Sequence, residues 1–327
     1  MINGKFLHVS ASPHARGRAT TVGIMRDVII ALCPALIASV VIFGLRALAV
    51  TLISVISCVA FEFITRKILK KPNTIWDLSA VVTGMLLAFN LPSGIPYWMI
   101  LVGAFTAIVI AKQFFGGIGQ NFVNPALAGR VVMLLSFGQM SKWTQPLAGI
   151  NNLFTGAQAI SGATPLAAQA DELPSLIEMV LGIRGGCLGE TCAVAILLGG
   201  IYLVARKVIS PVIPVFYIGT VAAVMLIAGK GDFTYVAYQV LSGGLLLGAV
   251  FMATDYTTSP ISTKGKIIFA IGCGLLTCVI RIFGSLPEGV SYSILLMNIL
   301  TPLIERITTP KPFGTPKKEK KAKEETA

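Results

Sequence analysis

The sequence predicts an all-α polytopic membrane protein of about ten transmembrane helices, arranged as two five-helix halves that run in opposite senses. Three observations carry that expectation. Of 327 residues, 55% are apolar and 12% charged, with a mean hydropathy of +0.82; a soluble domain carries about 25% charged residues. Uninterrupted apolar runs recur from Val28 to Ile304. The 26 lysines and arginines then divide very unevenly between the two sides of an alternating path, as the positive-inside rule requires. A cytosolic enzyme, a secreted disulfide scaffold and a coiled coil are excluded. A signal peptide is not expected, because the first apolar run begins only near Asp27 and no small-residue cleavage site follows it.

A bilayer crossing takes about 20 apolar residues, fewer in a broken helix. On that ruler the spans, in order, are 27–44, 47–65, 75–91, 97–112 and 123–138, then 188–205, 209–229, 234–254, 266–283 and 290–305. The fifth contains Pro125 and Arg130 and is expected to be broken or partly re-entrant. The stretch 173–183 is apolar but too short to cross, and reads as an interfacial helix. With the N-terminus inside, 20 of the 26 basic residues face the cytoplasm and four (Arg46, Lys142, Arg184, Lys230) face outward, Arg130 and Arg281 lying within spans. Both termini are therefore expected in the cytoplasm. The organisation that follows is a cytoplasmic segment 1–26, a first half 27–138, an outer loop 139–187, a second half 188–305 and a basic tail 306–327. An odd number of helices per half inverts the second relative to the first. The net charge of +12 resides in short loops and in the lysine-rich tail, so no nucleic-acid partner is expected.

Four stretches could carry chemistry. In the outer loop, Ser161-Gly162-Ala163-Thr164-Pro165 leaves the backbone open around the Thr164 hydroxyl; it is either an ordinary surface turn or a hydroxyl offered to a modifying enzyme. Gly116–Arg130 combines a glycine-rich turn with Asn124-Pro125 and an intramembrane arginine, Gly185–Cys192 places Glu190 at the outer mouth of span six, and Phe251–Pro260 places Asp255 at the inner end of span eight. Charge at membrane depth is costly and faces a partner, a cavity or a pathway. Glu190, Asp255 and Arg130 therefore pair or cap, or else serve a ligand or an ion. Asp77 and Glu62 are expected to pair locally with Arg66 or Lys70, Asp27 to cap a helix, and Glu288 to mark a helix start. The six cysteines and two histidines lack metal-site spacing and read as small apolar helix residues; no metal site is expected. Walker, G-x-S-x-G and H-E-x-x-H motifs are absent, so any redox chemistry must come from a bound cofactor.

Taken together, Ser161–Leu166, Gly116–Arg130, Gly185–Cys192, Phe251–Asp255 and Pro287-Glu288-Gly289 through Asn298 occur in an order that resembles the NqrB/RnfD family, membrane subunits of ion-translocating electron-transport complexes. The resemblance covers the chain from Arg26 to Glu305. It implies a urea-transporter-like fold and FMN joined to Thr164 through a phosphoester, with Ser161, Gly162 and Ala163 as the attachment motif. It also implies a second, non-covalent flavin near the glycine-rich stretches. The short lead before the first span is similar to the RnfD branch. That branch implies a complex coupling electron transfer between ferredoxin and NAD to Na⁺ or H⁺ movement, with this subunit not catalytic alone. Implied partners are subunits of the C, G, A, E and B types, a flavin transferase and membrane lipid, in a prokaryotic inner or plasma membrane. Asp77, Glu190 and Asp255 are the candidates for an ion or redox-linked path. The alternatives are an NqrB-like subunit of a Na⁺-translocating NADH:quinone reductase, a stand-alone inverted-repeat channel or transporter, or a structural anchor for redox subunits.

Overall fold

The computed structural model describes residues 20–143, 174–284 and 289–309. Among them the chain is helical: α1 (Thr21–Phe43), α2 (Leu45–Ile68), α3 (Ser79–Phe89) and α4 (Tyr97–Phe105), which continues as a π-helix over Thr106–Gln113. Then follow α5 (Pro125–Ser136), α6 (Leu176–Leu181), α7 (Ala193–Ala205), α8 (Val212–Ala228), α9 (Phe233–Leu241), α10 (Leu245–Leu247, continued as a π-helix over Gly248–Met252), α11 (Thr263–Phe283) and α12 (Val290–Thr308).

Four helices, α1, α2, α11 and α12, are long and apolar enough to cross a membrane. A fifth crossing is formed if α9 and α10, bent by 63° at their junction, are taken as one. The five other apolar helices (α3, α4 with its extension, α5, α7 and α8) have 10–17 residues. At 1.5 Å per residue these fall short of a hydrocarbon core about 30 Å thick. Every predicted span coincides with one of these helices or with the bent pair, and the short stretch 173–183 contains the helix α6.

The helix ends follow from local chemistry. Thr20 caps α1 by accepting from Gly23 N at 3.1 Å, so the helix begins six residues before the expected position at Asp27. Asp27 is accordingly not a cap: it accepts from Arg206 at 3.3 Å and from the Tyr202 hydroxyl at 3.2 Å, tying α1 to the end of α7. At the start of α5, Asn124 Oδ1 accepts from Ala126 N at 3.0 Å with Pro125 at the first helical position, where a missing N–H costs nothing. Ser175 and Glu178 close a capping box on α6.

Breaks inside an apolar bundle need donors for the carbonyls they release, and arginines supply them. Gly243 and Gly244 adopt left-handed φ of +66° and +67° between α9 and α10. The freed carbonyl of Ser242 accepts from Arg281 Nη2 at 2.9 Å, that of Gln239 from Arg281 Nη1 at 2.6 Å, and that of Leu241 from Arg184. Arg46 does the same for the turn after α3, donating to the carbonyls of Ser93 at 2.9 Å and Gly94 at 3.2 Å. Arg46, Arg184 and Arg281, expected outside or within spans, thereby acquire a structural reason. Close approach is set by small residues: a Cβ on Gly84 would lie 2.7 Å from Val55 Cα, so α3 rests directly on the α2 backbone, and one on Gly199 would overlap the Ala31 carbonyl where α7 meets α1.

Candidate functional site

A cavity of about 400 Å³ opens at the end of the bundle that carries the start of α1 and the end of α7. Its apolar wall includes Ile24, Val28, Val82, Leu86, Leu203 and Phe251. Its polar wall is built from Ser79, Thr83, Lys112, Asn121, Asn124, Thr254 and Asp255. Apolar walls with a few fixed polar groups are the usual composition of a cofactor site, and the volume lies within the usual range of about 300–1,000 Å³.

Each polar group is positioned by the local chain path. The π-helical stretch at the end of α4 carries Lys112 to a fully buried position, 1% exposed; such stretches recur at functional sites because they shift the helical register of the residues that follow. The Lys112 ammonium donates to Glu62 Oε2 at 2.7 Å and to Ser79 Oγ at 2.6 Å. Ser79 Oγ in turn donates to Asp77 Oδ1 at 2.5 Å, and Thr74 Oγ1 donates to Glu62 Oε1 at 2.8 Å. The result is a continuous chain from Thr74 through Glu62, Lys112 and Ser79 to Asp77. The expected pairing of Glu62 and Asp77 with Arg66 or Lys70 is therefore corrected. Glu62 is wholly buried and faces α4, where the ammonium 50 residues away satisfies it.

Also in the cavity wall, Asp255 Oδ2 accepts from Thr257 Oγ1 at 3.0 Å and Thr258 Oγ1 at 3.3 Å. Burial pushes its carboxyl above the ordinary range, against the opposing pull of those hydroxyls. Asn121 Oδ1, also in the wall, is buried without a hydrogen-bond partner among the described residues, an acceptor that an occupant can satisfy.

From the floor of the cavity a polar thread runs through the bundle. Asn124 Nδ2 donates to the Met252 carbonyl at 3.2 Å, and Asn90 Nδ2 contacts Met252 Sδ at 3.6 Å. Asn90 Oδ1 accepts from Arg130 Nη1, whose Nη2 reaches Cys187 Sγ at 3.5 Å. Glu190 lies beyond, 5% exposed, with Oε1 accepting from Cys187 N at 3.2 Å. The structure thus brings Asp255 and the Asp77 chain to one cavity and places Glu190 at the far end of the thread. Ser161, Gly162, Ala163, Thr164 and Glu288 lie outside the described residues.

Sequence reasoning missed Lys112, Ser79, Thr83 and Asn90 as site residues. Lys112 ends an apolar run and so reads as a boundary charge; Asn90, inside the run Leu86–Leu91, was the one available signal. Among the described residues no disulfide is formed, and no cluster of three or more His, Cys, Asp or Glu suited to a metal occurs.

Comparison with known proteins adds the context. The family described as NQR2, RnfD, RnfE matches residues 8–314. The D-type subunit of the Na⁺-translocating ferredoxin:NAD⁺ oxidoreductase complex of Acetobacterium woodii is 49% identical over 97% of this chain and 98% of its own length. The D-type subunit of the proton-translocating ferredoxin:NAD⁺ oxidoreductase complex of Clostridium ljungdahlii is 43% identical over 94% of this chain and 96% of its own. Its counterpart in an ion-translocating oxidoreductase complex of Stutzerimonas stutzeri is 40% identical over 91% and 93%.

Proposed function

The chain belongs to the NQR2, RnfD, RnfE family, and from that premise we propose that it is the flavin-carrying membrane subunit of an Rnf-type complex coupling electron transfer between ferredoxin and NAD to Na⁺ or H⁺ translocation. The observation that carries this reading is the near full-length identity of 49% with the D-type subunit of such a complex. The chain acts as one subunit among others and is not catalytic alone.

FMN is carried on Thr164 through a phosphoester, placed there by a flavin transferase that reads Ser161-Gly162-Ala163-Thr164. A second, non-covalent flavin occupies the cavity. In support, the volume suits a three-ring system, the apolar wall suits its faces, and Thr83, Asn121 and Asn124 offer hydrogen bonds to its edge. Bound flavin supplies one- and two-electron redox chemistry. The protein's own residues do the rest: Asn121 and Asn124 orient, Val82, Leu86 and Phe251 exclude water, and Lys112 and Asp255 set the local field.

The arrangement is ten crossings in two inverted halves in a prokaryotic plasma membrane, with the cavity toward the cytoplasm and the Thr164 loop outside. Packing supports a repeat of one helix pattern in the two halves. α2 packs on α3 and α4 as α8 packs on α9 and α11, while α1 meets α7 and α5 meets α12. The half-helices α3 and α10 each start from a left-handed residue, Leu78 at φ +63° and Gly244 at φ +67°. Asp77, Glu190 and Asp255 remain the candidates for the ion-linked path.

The test is fluorescence of the denatured protein band, followed by mass determination of the Thr164 peptide, from a host with the flavin transferase. A fluorescent band carrying an FMN-sized addition on Thr164 supports the reading; a dark band with unmodified threonine overturns it.

A further inference from the structure

Lys112 is more than half of a structural ion pair. A buried ammonium is costly unless it is both paired and hydrogen-bonded, and a pair that served the fold alone is best sealed away by apolar neighbours. Here Lys112 and its partner Ser79 are themselves wall residues of the cavity. An ammonium has three N–H donors. Glu62 and Ser79 take two of them at 2.7 and 2.6 Å, which leaves the third without an acceptor among the described residues. The geometry around it is fixed from both sides. Thr74 holds the far oxygen of the Glu62 carboxylate, and Asp77 accepts the Ser79 hydroxyl proton, so that the Ser79 oxygen is presented to the ammonium as an acceptor. The cavity wall also includes a carboxyl, Asp255. The cavity wall thus holds a fixed, paired ammonium as well as a carboxyl.

We propose that Lys112, locked by Glu62 and Ser79, is a cofactor-tuning residue whose third N–H meets the electron-accepting edge of the cavity's occupant and stabilises the negative charge that edge gains on reduction. The proposal rests on the reading of the cavity as a non-covalent flavin site. The balance is simple. A flavin ring that takes up two electrons and one proton carries one net negative charge, spread over its pyrimidine edge; the electrons derive from ferredoxin and the proton from water. A fixed cation beside that edge favours the reduced form, because the ammonium is already oriented and the surroundings are dry. It contributes less to binding the oxidised form, which bears no charge there.

The experiment uses the full chain purified from membranes in a Thr164→Val background, so that any flavin signal comes from the dissociable cofactor. The flavin released on denaturation is identified as riboflavin or FMN, and that compound is the probe. Because Lys112→Met alone leaves Glu62 charged and uncompensated, the informative variant is Lys112→Met with Glu62→Leu, which replaces the pair by apolar groups, a change that buried pairs often tolerate. The expected result is a drop of at least tenfold in the preference for the reduced flavin, which is about 30 mV in midpoint potential for a two-electron couple. Lys112→Arg, which keeps the charge, should stay close to the parent. If the double variant loses its flavin on purification, the same ratio is read by titrating the probe back under oxidising and reducing conditions. Tenfold weaker binding of the reduced form alone supports the proposal; equal weakening of both forms, or an unmoved potential, overturns it while leaving the flavin site in place. If the Thr164→Val parent releases no flavin at all, the reading of the cavity fails and the proposal fails with it.

Discussion

Asn124 performs two separable tasks, and replacing it should show both. Its Oδ1 caps α5 through Ala126 N at 3.0 Å, and its Nδ2 donates to the Met252 carbonyl at 3.2 Å at the end of α10. The residue is 3% exposed, so both bonds are largely shielded from bulk water. Loss of a cap to alanine costs about 1 kcal/mol. Leaving a buried carbonyl without its donor costs about 1–3 kcal/mol. Asn124→Ala should therefore lose roughly 2–4 kcal/mol. Asn124→Ser keeps a good cap but has no amide donor, so it should lose about 1–3 kcal/mol. Thermal unfolding of the detergent-solubilised chain reads the order: wild type highest, serine intermediate, alanine lowest, with a few degrees per kcal/mol. A serine variant as stable as wild type would refute the bridge to Met252. Identical serine and alanine variants would refute the cap.

Three further outcomes are expected. Thr164→Val should abolish in-gel flavin fluorescence while leaving the elution profile and thermal midpoint of the chain unchanged; a fluorescent band in that variant rules out the attachment site. Removing either partner of the Glu62–Lys112 pair should destabilise by about 3–5 kcal/mol, whereas removing both should cost much less; a double-mutant cycle with no coupling would contradict a closed buried pair. Asp255 has a carboxyl raised by burial, so the native state holds its proton to higher pH than the unfolded chain does. Its contribution thus falls as pH rises above the ordinary aspartate value of about 4. Asp255→Asn should flatten that dependence in melts recorded across acidic to neutral pH, and an unchanged slope would count against the assignment.

The helices were legible because apolar run length and charge placement are local properties, and each run from 27–44 to 290–305 falls on a helix. Their lengths were less so. Arg281 and Arg184 capture the carbonyls of Gln239, Leu241 and Ser242, which makes a helix break tolerable in apolar surroundings, and no sequence spacing announces that rescue. The site was legible in the same uneven way. Asp255 and the Asn121–Asn124 stretch stand out as polar residues beside apolar runs, and both reach the cavity. The partner of Glu62 did not stand out. Arg66 and Lys70 are near it in sequence, yet α2 turns Glu62 toward α4, and the π-helical register delivers Lys112 to it. Pairing across 50 residues is a property of packing, invisible to a reading along the chain.

The polar thread, together with the Asp27 contacts, bears on how the molecule can move. Asp27 bonds to Arg206 and Tyr202 at one end of the bundle, Asn124 and Asn90 meet Met252 at mid-depth, and Arg130 meets Cys187 toward the other end. Each of these joins a helix or turn from before residue 139 to one from after residue 183. Rivets at three depths resist the rocking of one block against another by which many carriers expose a site first to one side and then to the other. A frame fastened in this way favours constant spacing between its two blocks. In a frame so fastened, movement is left to side chains and turns, such as those around Asp255 and Glu190.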